Sequence, residues 1–341
     1  MAETVLVTGG TGYVAGWCIV ELLKRGYTVR TTVRSLSKEQ VVRSNISTAV
    51  DPGASERLSF FVADLTSDTG WDAAVTGCDY ILHVASPLGT DNPKNPDELI
   101  IPARDGALRV LRAAAGVGVK RVVMTSACAA ASPASYTEDG VTDETLWTDP
   151  DDSGLSAYRK SKTVAELAAW EFMKDNHGAT TLTTILPRAV FGPILSADNI
   201  GTAQVIGRLL QGRVPGTPRI GLEVVDVRDL ADVHIRAMTA SGAGGERFIA
   251  FSEFMWMSDI AKTLHAKLGS AASKVPTRTL PDFMVRFLAR FDPGLQALIP
   301  GLGRKNRHTA EKARRVLGWH PRPAAETVID CAVSLISRKA I

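Results

Sequence analysis

A tyrosine and a lysine, Tyr158 and Lys162, have the spacing needed for proton transfer. They lie four residues apart in a stretch with a helical pattern, residues 154–174, so both side chains are predicted to project from one helix face. A nearby ammonium favours the phenolate and lowers the pKa of a tyrosine toward neutral pH. Such a pair is suited to donating a proton to a carbonyl oxygen, with Tyr158 as the donor. The same spacing occurs by chance in many helices, so its meaning depends on what accompanies it.

A glycine-rich segment, Thr8–Gly16, accompanies the pair near the amino terminus. It follows an apolar β-branched run and precedes a helical pattern, which is the arrangement of a dinucleotide-binding turn. Glycine allows close approach of the backbone to a pyrophosphate, which then lies on the positive end of the helix. Ala15, in the third position of the pattern, is small enough for the helix to pack on the strand. The segment predicts a nicotinamide dinucleotide site, with Lys162 also holding the nicotinamide ribose.

The end of the second predicted strand indicates which dinucleotide binds. A carboxylate there would bind the ribose hydroxyls of NAD and repel a 2′-phosphate. The sequence has no acidic residue in this place before Glu39, whereas Arg34 closes the strand and Lys38 follows four residues later. Two cations so placed favour NADP(H), although Arg and Lys are also common as solvated surface residues.

Two further strand ends supply candidate cofactor contacts. Asp64 and Leu65 follow the third strand, where a carboxylate and an amide are placed to contact adenine, or where Asp64 is only the N-cap of a helix. Val84 lies at the end of the fourth strand, which passes beneath the expected cofactor. His83 beside it is predicted to be structural. No H-x-x-H or H-E-x-x-H spacing occurs, so no metal site is predicted.

Short apolar runs alternate with helical patterns over the first 190 residues. Because the runs are almost continuously apolar, they predict a parallel sheet buried between two layers of helices, a Rossmann-type doubly wound α/β fold. We expect residues 1–190 to form the dinucleotide-binding domain, with returns near 222–250. Residues 191–221 and 251–341 are expected to form a smaller, interleaved C-terminal substrate lobe. The strand candidates are Thr4–Thr8, Thr28–Val33, Leu58–Val62, Tyr80–Val84, Arg121–Thr125 and Thr181–Leu186.

The amino-acid composition limits the kinds of binding partner that are expected. The 341 residues include 39 basic and 36 acidic side chains, a net charge of +3 that gives no reason to expect nucleic acid or a membrane surface. The four cysteines lie far apart without a C-x-x-C pair, so neither a disulfide framework nor a zinc site is expected. Neither a signal-peptide pattern nor an apolar run of about 20 residues occurs, so a cytoplasmic protein is expected.

Taken together, these segments resemble the extended short-chain dehydrogenases/reductases. Within them they are similar to the branch of dihydroflavonol reductases, cinnamoyl-CoA reductases and NADPH-dependent aldehyde (carbonyl) reductases. The resemblance implies reversible reduction of a small, fairly apolar aldehyde or ketone to an alcohol, by a monomer or homodimer. It is carried by VTGGTGYVAG, RTTVR, ADLTSD, GCDYILHVASP, YRKSKTVAELAAWEF, LPRAVFGP, DVRDLADVH and KARRVLGWHPR, which span nearly the whole chain. The cofactor contacts that it implies are Gly9, Gly12, Tyr13, Val14, Arg34, Lys38, Asp64, Leu65, Tyr158, Lys162, Pro187 and Val190.

One position departs from the family pattern. The family usually has Thr-Ser-Ser after the fifth strand, where the second serine orients the substrate carbonyl, and this chain has Ala127 in that place. Ser126 is the best single candidate for a catalytic role there, although strand alternation points its side chain away from the face of Ala127. Thr125 is the next candidate, and Ser132 or a bound water is a further alternative. Ser126 can serve only if the loop bends locally; if one of the others supplies the hydrogen bond, a lower rate is expected.

Two other functions are compatible with these residues. A nucleotide-sugar epimerase or dehydratase shares the fold and the Tyr/Lys pair but generally retains tightly bound NAD, and Arg34 and Lys38 argue against that cofactor. A non-catalytic NADP(H) sensor is the other alternative. Such proteins tend to lose the tyrosine or the lysine, and this chain keeps both.

Three features are predicted to be structural. Cys128 is expected to be a packed small residue and not a nucleophile. The segment 229–234 is expected to begin a helix. Phe283, Phe287 and Phe291 recur every four residues and are predicted to form a core stripe, with the wall of a substrate pocket as the alternative.

Overall fold

The apolar runs of the first half form the predicted strands, to within one or two residues at each end. The computed structural model describes residues 2–87, 93, 95–133, 141–291, 295–296, 299–305 and 307–341. The strands are β1 Thr4–Val7, β2 Thr28–Val33, β3 Leu58–Val62, β4 Tyr80–His83, β5 Arg121–Thr125, β6 Thr181–Pro187, β7 Ala189–Phe191, β8 Thr217–Pro218, β9 Gly221–Asp226, β10 Glu246–Ala250, β11 Glu253–Trp256 and β12 Thr279–Leu280. The α-helices described are α1 Tyr13–Lys24, α2 Glu39–Ser47, α3 Trp71–Val75, α4 Asp97–Val117, α5 Ala157–Asp175, α6 Gln204–Leu210, α7 Val227–Thr239, α8 Met257–Leu268, α9 Asp282–Leu288, α10 Glu311–Leu317 and α11 Ala324–Ser337.

Seven of these strands form one parallel sheet in the order β10-β6-β5-β4-β1-β2-β3. β1 is the strand at which the order of the chain reverses, because it pairs with β2 on one side and β4 on the other. Val5 accordingly lies opposite both Val29 and Tyr80. In a doubly wound sheet the crevice at the carboxyl ends of two such strands is where ligands bind. This arrangement confirms the predicted Rossmann-type fold.

The central sheet is buried on both faces. Val5, Leu6 and Val7 are all fully buried, with Val5 and Val7 in the hydrophobic cluster that contains α1 and Leu6 in the cluster that contains α4. α1 and α7 pack together on one face, and α4 and α5 pack together on the other. Continuous burial explains why these strands are apolar without alternation.

The C-terminal part is built around smaller sheets. β7 and β11 flank β9 in a three-stranded sheet, and β8 pairs with β12. Of the returns predicted near 222–250, β10 enters the central sheet, whereas β9 stays in the three-stranded one. Among the helices described, none has the length and apolar character that a bilayer span needs.

The prediction of a phenylalanine core stripe is wrong. Phe283, Phe287 and Phe291 are 73%, 56% and 76% exposed. Helix α9 is buried through Val285 instead, and the rings of Phe287 and Phe291 contact each other edge to face at 5.7 Å between centroids. The four-residue spacing places Phe283 and Phe287 on α9, whereas Phe291 lies beyond the end of that helix at Leu288.

Candidate active site

The glycine-rich loop between β1 and α1 is held by strand β2. The Gly9 amide donates to Thr32 Oγ1 at 2.9 Å, and the Gly12 amide donates to the Gly9 carbonyl at 2.8 Å. Gly9 has a φ of +75°, which disfavours any residue with a Cβ. A side chain at Gly10 would collide with Thr31 Oγ1. The loop therefore presents bare backbone at the crevice between β1 and β4.

The first turn of α1 is open to a ligand. Gly12 precedes the helix in extended conformation and has no side chain to cap it. The amides of Tyr13 and Val14 begin the helix, where N–H groups have no partner within the helix and the helix dipole favours an anion. The Tyr13 ring is buried and its hydroxyl donates to the Gly192 carbonyl at 2.9 Å, so Tyr13 can meet a phosphate only through its backbone. The loop and this turn fit a pyrophosphate.

Arg34 and Lys38 are both exposed at the carboxyl end of β2. Asp64, which follows β3, is close enough to Arg34 for its pKa to respond. Hydrogen bonds from the Thr66 amide and hydroxyl, at 2.8 and 2.7 Å, lower the pKa of Asp64 most, and the charge of Arg34 adds to the effect. Asp64 therefore closes a local turn through Oδ1, and it is not the N-cap of α3, which begins at Trp71. Its carboxylate also lies on the same edge as the two cations.

The loop at Asp64 and Leu65 is fixed by side chains that the sequence analysis did not identify. Arg109 of α4 donates to the Leu65 carbonyl at 2.8 Å and to Asp68 at 2.5 Å. The Trp71 indole donates to the Asp64 carbonyl at 3.2 Å. No local signal marks Arg109, because it lies 44 residues from Leu65 in the sequence.

Tyr158 and Lys162 lie one turn apart at the start of α5. Ser156 caps this helix by accepting a hydrogen bond from the Arg159 amide at 3.3 Å. Tyr158 is 38% exposed, whereas Lys162 is partly buried. Burial lowers the pKa of Lys162 to about 8, and the nearby Glu166 carboxylate opposes that change. The pair thus combines an accessible phenol with an ammonium that titrates close to neutral pH.

His83, at the end of β4, is neutral and faces Lys162. Its Nδ1 lies 3.0 Å from Thr8 Oγ1, which also accepts the amides of Val84 and Ala85 at 3.0 and 2.9 Å. The Thr8 hydroxyl therefore donates its hydrogen to Nδ1, which leaves the imidazole proton on Nε2. Burial lowers the pKa of His83 to about 3, helped by the Lys162 charge. The contacts agree with the structural role predicted for His83, and they place Val84 beside the glycine loop.

The catalytic role predicted for Ser126 conflicts with its position. Its side chain is 2% exposed, and its hydroxyl donates to Glu166 Oε2 at 2.5 Å. Strand alternation had pointed this side chain away from the face of Ala127, and no local bend reverses it. Ser126 has no hydroxyl hydrogen left for a substrate carbonyl.

The other two hydroxyls considered for that role are also occupied. His234 donates from Nδ1 to the Leu230 carbonyl at 2.7 Å, so its Nε2 accepts the hydrogen of Thr125 Oγ1, also at 2.7 Å. Burial lowers the pKa of His234 to about 4, which keeps that nitrogen an acceptor. Ser132 is buried and donates to the Cys128 carbonyl at 2.6 Å. Among the side-chain hydroxyls considered, the exposed residue is Tyr158.

Pro187 and Val190 lie beyond the carboxyl end of β5, where β6 ends and β7 begins. Both are buried, and Pro187 is opposite Ala250 in the sheet. The Val190 carbonyl accepts the Thr202 hydroxyl at 2.6 Å. Both residues therefore border the same edge as the glycine loop, with rigid backbones.

The thiols and acids of the described residues do not suggest other chemistry. Within the described parts of the chain, no three His, Cys, Asp or Glu side chains are grouped so that they could hold a metal ion. Burial raises the pKa of Cys128, and its Sγ donates to the Leu186 carbonyl at 3.1 Å, so this thiol is a packed residue.

Comparison with known proteins finds one matching family and several reductases that are similar in sequence. The NAD dependent epimerase/dehydratase family matches residues 5–250. Cinnamoyl-CoA reductase CAD2 of Medicago truncatula is 38% identical over 263 residues, covering 74% of this chain and 79% of the relative. An anthocyanidin reductase of Vitis vinifera is 32% identical over 292 residues, covering 81% and 83%.

Solved structures agree over nearly the full length. Gre2 of Candida albicans, in complex with NADPH, has a TM-score of 0.81 and 26% identity, covering 98% of this chain and 99% of that one. Vestitone reductase of alfalfa (Medicago sativa) has a TM-score of 0.74 and 26% identity, covering 99% of both chains.

Proposed function

The chain belongs to the NAD dependent epimerase/dehydratase family, the extended short-chain dehydrogenases/reductases, and from this premise we propose that it reduces carbonyl compounds with NADPH. It is an NADP-dependent oxidoreductase of the branch that contains cinnamoyl-CoA and anthocyanidin reductases. The substrate is a small, fairly apolar aldehyde or ketone, and the product is the corresponding alcohol. The reaction is reversible.

The observation that carries the proposal is the Tyr158/Lys162 pair at the start of α5. The exposed phenol of Tyr158 can donate a proton, and the Lys162 ammonium, with a pKa of about 8, stabilises the phenolate that remains. A protein that only sensed the dinucleotide could use Lys162 to hold the ribose, but it would have no need of the exposed phenol of Tyr158.

The residues present fit NADP(H). The amides of the glycine loop and the first turn of α1, at Gly9, Gly12, Tyr13 and Val14, would hold the pyrophosphate. Arg34 and Lys38 would bind the 2′-phosphate, and Asp64 and Leu65 would contact adenine. Val84, Pro187 and Val190 would border the nicotinamide, and Lys162 would hold its ribose. When bound, the reduced nicotinamide supplies the hydride.

The chain's own residues supply the proton and the charge. Tyr158 donates its phenolic proton to the carbonyl oxygen as negative charge develops there. The Lys162 ammonium stabilises the phenolate that remains. In the reverse direction the same phenolate takes the proton from the alcohol. Because Ala127 carries no hydroxyl and Ser126 is occupied by Glu166, Tyr158 is the side-chain donor to the carbonyl, and turnover is correspondingly slower.

The test is loss of reduced-nicotinamide absorbance with a panel of aromatic and aliphatic aldehydes, ketones and β-keto esters. We expect loss with NADPH and much less with NADH. Tyr158→Phe should abolish most of the rate, and Tyr27→Phe, which alters a tyrosine remote from the crevice, should not.

Two results would contradict the proposal. Tight NADPH binding with no turnover of any carbonyl would favour the non-catalytic sensor. Firmly bound NAD in the purified protein would favour a nucleotide-sugar epimerase or dehydratase.

A further inference from the structure

A carboxylate and a guanidinium are buried together beneath the Tyr158/Lys162 pair. Glu166, one turn beyond Lys162 on α5, has a side chain that is 0% exposed, and that of Arg247 on β10 is 7% exposed. Arg247 Nε lies 2.9 Å from Glu166 Oε1, and Arg247 Nη2 lies 3.3 Å from Oε2. Removing two charges from water is costly, and an apolar pair of similar shape is often as stable. Their geometry therefore calls for an explanation other than stability.

The Glu166 carboxylate joins several elements around the site. Besides Arg247, it accepts hydrogen bonds from Ser126 after β5 at 2.5 Å and from Thr184 of β6 at 2.7 Å. The Trp170 indole of its own helix donates to it at 3.3 Å. Both carboxylate oxygens are thus engaged as acceptors of hydrogen bonds from several elements.

Arg247 holds the segment that follows β5. Its five N–H groups make five hydrogen bonds, two to Glu166 and three to backbone carbonyls. Those carbonyls belong to Ala130 at 3.1 Å, Glu144 at 2.8 Å and Leu146 at 2.9 Å. The guanidinium also stacks on the Trp147 ring at 3.5 Å from its centroid. The wall of the crevice beyond Ala127 is therefore fastened to the same carboxylate as α5.

Glu166 also acts on Lys162. On α5, Lys162 lies one turn after Tyr158 and one turn before Glu166, and its charge also acts on the neutral His83 at the end of β4. Glu166 is thus the anion that favours the charged lysine, and Arg247 lies behind it and balances its charge.

We propose that the Glu166–Arg247 pair is a positioning device for the reaction. Glu166 keeps the Lys162 ammonium charged beside Tyr158. Arg247 partly neutralises the negative charge of Glu166 that acts on the lysine, and it also holds the wall of the crevice. Ser126 belongs to this device as a donor to Glu166 and has no direct contact with the substrate. The inference rests on the proposed carbonyl reduction.

The experiment compares the pH dependence of four proteins, namely wild type, Glu166→Gln, Arg247→Gln and the double variant. kcat/KM for NADPH-dependent reduction is measured from about pH 6 to about pH 10. The Lys162 side chain is titrated separately by NMR with ¹³C-labelled lysine, and its signal is assigned by its loss in Lys162→Arg. Thermal unfolding shows that each variant is folded.

The expected shifts have opposite signs. Loss of the carboxylate in Glu166→Gln should lower, by about one pH unit, both the pH at which kcat/KM falls on the alkaline side and the midpoint of the Lys162 titration. Loss of the guanidinium in Arg247→Gln should move both upward. The double variant, which removes both charges, should return close to the wild-type values. Should Glu166→Gln fail to fold, the upward shift in Arg247→Gln still decides the matter.

The proposal would be overturned if the alkaline limb of the kcat/KM profile lay at the same pH in all folded variants while their rates were lowered equally. The pair would then have a purely structural role. Failure of the wild type to reduce any carbonyl would instead overturn the proposed function. The NMR titration separates the two outcomes, because it reports on Lys162 without turnover.

Discussion

Replacing Lys162 by methionine should make the folded protein more stable near neutral pH while it removes the activity. Burial lowers the pKa of Lys162 from 10.5 to about 8. One pKa unit corresponds to about 1.4 kcal/mol, so keeping this charge inside the folded protein costs about 3 kcal/mol. Methionine keeps an apolar side chain of similar length without the charge. The variant should therefore gain up to about 3 kcal/mol in the free energy of unfolding.

The gain should depend on pH in a defined direction. Below about pH 8 the wild-type lysine is protonated in both the folded and the unfolded chain, so the full penalty applies. Between pH 8 and 10.5 the unfolded chain holds a proton that the folded protein has released, and the wild type becomes more stable as pH rises. The advantage of Lys162→Met should shrink toward zero across that interval.

Urea unfolding followed by tryptophan fluorescence, without nucleotide, measures the effect at about pH 6.5 and about pH 9.5. Lys174→Met is the matched control, because Lys174 lies on the same helix with a side chain that is 74% exposed. It should change the free energy of unfolding by less than about 0.5 kcal/mol. A methionine variant less stable than wild type at both pH values, or a gain that does not vary with pH, would refute this reasoning.

Four further results are expected. Tyr158→Phe should lower kcat by roughly 10²–10⁴-fold while the Kd for NADPH, measured by fluorescence titration, stays the same; a weaker Kd would assign Tyr158 to binding. Arg34→Ala with Lys38→Ala should raise the KM for NADPH by about 10-fold or more and leave that for NADH unchanged, and an equal effect on both would contradict the 2′-phosphate assignment. Ala127→Ser should raise kcat by about 10-fold if the new hydroxyl reaches the carbonyl, and an unchanged rate would mean that it does not. Wild-type kcat/KM for reduction should fall above about pH 8 as Lys162 loses its proton, and a flat profile to pH 10 would contradict the role given to its charge.

The central sheet could be predicted from the sequence because the local apolar pattern of each strand matches its burial in the structure. Continuous apolar runs such as Val5–Val7 predict strands covered on both faces, and the structure buries all three side chains. The glycine loop was equally accessible, since its turn, its neighbouring strand and its helix lie within a few residues of one another. Tyr158 and Lys162 required only the helical period.

The sequence was insufficient where a side chain meets a partner far along the chain. Glu166 and Arg247 are separated by 81 residues, and nothing near either residue indicates the pairing. The signal that could have drawn attention to Glu166 is an acidic residue one turn after Lys162, on the helix face that carries Tyr158 and Lys162. For Ser126, strand alternation predicted the correct direction of the side chain, and the family pattern suggested a role that this direction does not allow.

The buried ion pair also bears on the order in which the protein is made. Glu166 leaves the ribosome with α5, whereas its cation arrives 81 residues later, on the last strand of the central sheet. At about 5–20 residues per second, the nascent chain spends several seconds with a Glu166 carboxylate whose Arg247 partner has not yet been made. Until β10 pairs with β6, packing α5 on the sheet would bury the Glu166 carboxylate without its ion pair to Arg247, which is unfavourable. The crevice is therefore completed only when the last strand of the central sheet has been added. A chain that stops before Arg247 would have an incomplete site, and it would not fold into a misassembled one.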